Sequence, residues 1–176
     1  MCRWTNGLIT LSLDEVLKVP LFEVTEKINF SDQLLTMVIL TIEGEAGGNL
    51  LLTFDEPNGR KLAATLLARK EIGTGDWNDL EISALNETGN IVGCAYLNAL
   101  TRLIDCDIVP SPPHFVQDYG EAVLQQVLMV QAMSADDILV CRTGFHRDGE
   151  DLNWNVIFVP NDGMRLAMEQ AFSTSL

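Results

Sequence analysis

Metal-ligand pairs, glycine-rich phosphate loops and long apolar runs are all missing from this 176-residue chain. The cysteines, Cys2, Cys94, Cys106 and Cys141, form no Cys-x-x-Cys pair, and His114 and His146 are the only histidines beside them. Such spacing builds no zinc site. Free thiols in a reducing cytosol are the expected state. No charged leader runs into an apolar stretch, so no signal peptide is expected, and no segment reaches membrane-spanning length. The expected compartment is the cytoplasm. Positive charge is scarce: 11 Lys and Arg stand against 25 Asp and Glu, for a net charge of −14. Binding a nucleic-acid backbone or an anionic membrane needs cations that displace counterions. Neither is an expected partner.

What the chain does have is apolar mass. Hydrophobic residues make up 47% of it, enough to bury a real core in one domain spanning residues 1–176. It also repeats itself. Asn49 matches Asn153, Phe54 matches Phe158, Gly59 matches Gly163, Leu62 matches Leu166 and Ala63 matches Ala167, each pair 104 positions apart. Both copies read as a strand, a Pro/Asn/Gly turn and a helix, each preceded by another strand-like run. A weaker match aligns Thr101–Pro110 with Cys2–Leu11. The first repeat is expected over about 1–72 and the second over about 76–176.

The expected elements follow in order. A strand covers Leu8–Leu13, and residues 20–27 are irregular or a short helix. A hairpin spans Gln33–Asp55 and a helix Asn58–Lys70. A long helix runs Asp79–Leu103, capped by Asp76, Asn78 or Asp79. Its core candidates are Leu80, Ile82, Leu85, Val92, Tyr96, Ala99 and Leu103. A short strand at Asp107–Val109, a loop at Pro110–Pro113, a helix from His114 to Met133, a hairpin over Asp137–Pro160 and a helix Asp162–Phe172 complete the chain. Antiparallel hairpins with segregated helices make an α+β architecture. No helix matching Asp79–Leu103 precedes the first strand, so the first half is expected to lack its long helix.

Ser83, Glu87 and Asn90 are the chemical signal. Spaced four and three apart on the long helix, they share one face. Pro113 follows Asn90 by 23 positions. The stripe offers a hydroxyl, a carboxylate that can grip a cation, and a carboxamide that can both donate to and accept from a water. No base in sequence reach activates Ser83, which reads as a surface hydroxyl. His114 and His146 read as surface or partly buried polar groups. Trp4, Trp77 and Trp154 read as packing residues.

This Ser-xxx-Glu-xx-Asn pattern, the later proline, the Gly89-Asn90-Ile91 run and the duplicated layout resemble the CheC/CheX/FliY phosphatases of bacterial chemotaxis, CheC most closely. The resemblance implies a CheC-like duplicated fold, an antiparallel sheet of two related halves with helices packed on it. It implies hydrolysis of the aspartyl-phosphate on a CheY-like response regulator. Glu87 would pair with the regulator's active-site lysine, and Asn90 would orient the attacking water. Ser83 and Pro113 would support the site. Mg2+ would sit on the regulator; no cofactor or metal is expected on this chain. An alternative is a non-catalytic adaptor that binds a regulator or a CheD-type receptor deamidase. A FliY-like flagellar-switch role ranks below both.

Two departures from the pattern stand out. Two-site relatives carry Glu-xx-Asn in each long helix, whereas here only the second half has it, so one site is expected. Apolar surface left by the absent helix would be covered by a second copy, as a homodimer, or by a partner. The other departure is Cys94, four residues after the asparagine, where a glycine is common.

Overall fold

Along one strand of nine residues, Met37 and Ile39 alternate with Val38, Leu40 and Ile42, and all five are buried. Side chains alternate across a strand, so burial of both sets means that this sheet is covered on both faces. The computed structural model describes residues 9–20, 23, 26–27, 34–104, 106–129, 137–147 and 150–174. Among them the elements are β1 (Ile9–Pro20), β2 (Leu34–Ile42), β3 (Gly48–Asp55), α1 (Glu56–Leu66), α2 (Asp79–Ile104), β4 (His114–Tyr119), α3 (Gly120–Met129), β5 (Asp137–Arg147), β6 (Glu150–Pro160) and α4 (Asp162–Thr174). No helix among the described residues is long and apolar enough to cross a membrane.

The six strands form one antiparallel sheet in the order β1-β5-β6-β3-β2-β4. That order is palindromic with respect to the two halves. At the centre Leu52 of β3 lies opposite Val156 of β6, the two residues standing 104 positions apart. At the edges Leu34 faces Tyr119, and Ile138 faces Val19. The fold is therefore α+β, an antiparallel sheet of two related halves with helices packed on it.

One face of the sheet carries Val38, Leu40, Leu50, Leu52, Phe54, Val156 and Phe158. It packs against Leu62 and Ala63 of α1, Leu85 and Val92 of α2, and Met164 and Met168 of α4. The other face carries Met37, Ile39, Leu51, Ile157 and Val159, covered by Val123, Leu124, Val127 and Leu128 of α3. Each such large side chain contributes about 1.5–3 kcal/mol by leaving water.

Several elements differ from the sequence expectation. His114–Tyr119 is not the start of a helix but edge strand β4, paired to Leu34–Ile39. Non-local ladder pairing overrides local helix preference there, and the helix begins only at Gly120. Pro113 accordingly leads into a strand. Strand β1 runs on to Pro20 because β5 pairs with it throughout, with a bulge between Leu13 and Glu15. Asp107–Val109 is not a strand; Pro110 bridges to Ile42, and the Ser111 N–H donates to the Thr41 carbonyl at 2.7 Å. Helix α1 starts and stops earlier than expected. Asp55 caps it by accepting the Asn58 N–H at 2.8 Å, and Ala68 turns away with φ of 51°. The residues that match the end of the long helix, at the start of the chain, fall within residues 1–8, outside the described residues.

Candidate functional site

Helix α2 is fixed at its first turn by polar contacts. Asn78 is its cap: the Asn78 Oδ1 accepts the N–H groups of Leu80 and Glu81, each at 3.1 Å. Glu81 reaches back to accept the Asn78 N–H at 3.2 Å, completing a capping box. Glu81 is only 3% exposed, and its charge is met by Arg60 of α1, 4% exposed, at 3.0 Å. The Arg60 guanidinium also stacks over Trp77 at 3.7 Å and donates to the Gly75 carbonyl. Arg69 approaches Glu81 from outside at 3.6 Å. A buried ion pair holds its geometry when further hydrogen bonds satisfy it, and this one is so satisfied. Trp77 in turn meets Phe115 of β4, with ring centroids 5.4 Å apart.

The middle of α2 lies close on the sheet. A side-chain carbon at Gly89 would collide with Val38, and one at Gly93 would come within 2.8 Å of Leu40. Leu85 and Val92 are buried on the same side. Glycine at these two turns lets the helix backbone approach the strands. With 3.6 residues per turn, the opposite side must face away from the sheet.

That outward side carries the candidate residues. Ser83 and Glu87 are exposed, and Asn90 is half-buried. The structure thus gathers these three on one face. Pro113 stands on a separate element, half-buried in the loop before β4. Leu80, an expected core residue, is instead 60% exposed. It sits seven positions before Glu87 and so belongs to the same outward stripe. Ala99 is exposed as well, whereas Tyr96 and Ile82 are half-buried. One contact on the ridge escaped the sequence reading: the Cys94 thiol donates to the Asn90 Oδ1, with 3.6 Å between S and O. The Arg60–Glu81 clamp also escaped it, although the Asn78-x-x-Glu81 spacing is a capping-box signal that could have flagged its acidic half.

Chemically, the ridge offers an acceptor-only carboxylate and a carboxamide with two N–H donors and a carbonyl acceptor. Among the described residues no cluster of three or more His, Cys, Asp or Glu could hold a metal. A cavity of about 480 Å3 opens elsewhere, on the α3 face of the sheet, between residues such as Ile39, Thr41, His114 and Gln126. None of the ridge residues lines it.

Known proteins share this architecture. FliY of Thermotoga maritima superposes with a TM-score of 0.68 at 18% identity, over 96% of this chain and 83% of that one. The putative CheY-P phosphatase CheC1 of Halobacterium salinarum is 27% identical over 86 residues. The chain is similar in fold to FliY and, over half its length, in sequence to CheC1. The CheC1 match covers 49% of this chain and 44% of that protein, so this CheC-like chain aligns with less than half of its curated relative. The chemotaxis protein CheX of Desulfovibrio desulfuricans gives a TM-score of 0.51 at 13% identity, over 88% of this chain and 83% of that one. A chain of the FliM–SpeE complex of H. pylori gives 0.60 at 10% identity, over 96% and 82%. No family model matches the chain. Since the CheC-like fold is shared with FliM, fold alone does not decide the activity; the side chains on α2 must.

Proposed function

We propose that this CheC-like chain accelerates hydrolysis of the aspartyl-phosphate on a CheY-like response regulator. The observation that carries the reading is the outward ridge of α2, with an exposed Glu87 and a half-buried Asn90 on one face of a helix clamped to the sheet. A half-active site of this kind needs no nucleophile and no metal of its own. Phosphoryl transfer depends on positioning and on electrostatic stabilisation of the moving charge. An acyl phosphate already has a good leaving group, so a well-placed water is what the reaction lacks. The Asn90 carboxamide can accept from that water and donate to it without acting as a strong base. Glu87 is suited to a cationic lysine beside the partner's phosphorylated carboxylate, which counters the net charge of −14 that this chain brings to an acidic pocket. Mg2+ on the regulator would neutralise the phosphoryl oxygens.

The test is phosphate release from a phosphorylated response regulator, with wild-type protein and with the double variant Glu87→Ala/Asn90→Ala. Wild-type protein is expected to speed release, and the double variant to lose about a hundredfold or more of that acceleration. Binding of the regulator with no faster release would favour the adaptor reading instead.

A further inference from the structure

We infer that Cys94 is a positioning residue for Asn90, fixing which edge of the carboxamide faces a docked partner. The inference rests on the phosphatase reading above. Cys94 lies one helical turn beyond Asn90 on the same face, and both are half-buried. Its thiol donates to the Asn90 Oδ1 at 3.6 Å. No other described side chain hydrogen-bonds to that carboxamide.

The consequence follows from the amide's own chemistry. The terminal torsion of asparagine is soft and roughly two-fold, so an unanchored carboxamide samples both flips. Its oxygen and nitrogen make opposite hydrogen bonds, and the two flips are not equivalent to a bound water. A donor one turn onward draws the oxygen toward the C-terminal end of α2. One oxygen lone pair and both N–H groups are left without a side-chain partner among the described residues. The neighbouring Gly93 packs its backbone against Leu40, so the turn that carries the thiol is held in place. A glycine at position 94 would supply no such donor. A thiol is a weak donor, and the effect is correspondingly modest.

The experiment compares Cys94→Ala, which removes the donor with little change in bulk, and Cys94→Ser, which keeps one. Two quantities are read in each: kcat and KM for dephosphorylation of the regulator, and the side-chain NH2 resonances of Asn90 in 15N-labelled protein without partner. Cys94→Ala is expected to lower kcat about three- to tenfold with KM within about twofold of wild type. Its Asn90 resonances shift. Cys94→Ser restores both. In an Asn90→Ala background, Cys94→Ala has no further effect on kcat. Unchanged kcat and unchanged resonances in Cys94→Ala overturn this inference while leaving the phosphatase reading standing. Equal loss in the Ala and Ser variants overturns it too, because packing would then be the cause. Wild-type protein with no phosphatase activity overturns the reading on which the inference rests, and with it any catalytic role for Cys94.

Discussion

Arg60 and Met164 hold equivalent places in the two halves, 104 positions apart, and they anchor α2 by opposite means. Arg60 on α1 grips the buried Glu81 at the start of α2. Met164 on α4 is fully buried among apolar side chains that include Leu97 and Leu100 near the far end of the helix. There Tyr96 also tilts against Phe158, with ring centroids 5.8 Å apart. Glu87 and Asn90 lie between the charged anchor and the apolar one. Two positions further along each helix the same contrast returns: Leu62 is 6% exposed in the core shared with α2, whereas its counterpart Leu166 is 52% exposed. A duplicated scaffold has become asymmetric around one helix, and the candidate chemistry sits on that helix.

The contrast can be broken by mutation, and its two sides should respond unequally. Arg60→Ala strands Glu81 in the interior without its partner, and a loss of about 3–5 kcal/mol is expected in chemical denaturation. Replacing both partners, with Arg60→Met and Glu81→Leu, should recover much of that loss, because no buried charge is then left alone. Leu62→Ala should cost about 2–5 kcal/mol through lost burial and a cavity. Asn161→Ala should cost about 1–2 kcal/mol. Asn161 caps α4 by accepting the Met164 N–H at 2.9 Å, and it also accepts the Gly47 N–H of the first-half hairpin at 3.0 Å. Smallest of all, Leu166→Ala should stay within about 0.5 kcal/mol of wild type, since the residue is already exposed. A loss at Leu166 equal to that at Leu62 would erase the asymmetry.

Local periodicity made part of this legible. The two hairpins and the long helix follow from alternation and from the 3.6-residue period, and the 104-residue offset reappears where Leu52 faces Val156. The face shared by Ser83, Glu87 and Asn90 follows from the same period. Non-local events were harder to read. His114–Tyr119 contains nothing that forbids a helix; it becomes a strand because Leu34–Ile39 offers an open edge. Leu80 is apolar, yet it lies on the side of α2 that the sheet does not reach. A charged residue on an amphipathic helix ordinarily faces water, so the burial of Arg60 depends on an acid 21 positions away that no local pattern announces. The Cys94 contact needs side-chain orientation, which spacing alone leaves open.

Single-turnover decay of a regulator's aspartyl-phosphate, followed at saturating wild-type or Asn90→Ala protein with binding measured in parallel, tests the central claim most directly. The account predicts that Asn90→Ala still binds the phosphorylated regulator while its phosphate decays at close to the spontaneous rate. Decay at the wild-type rate with Asn90→Ala would contradict it.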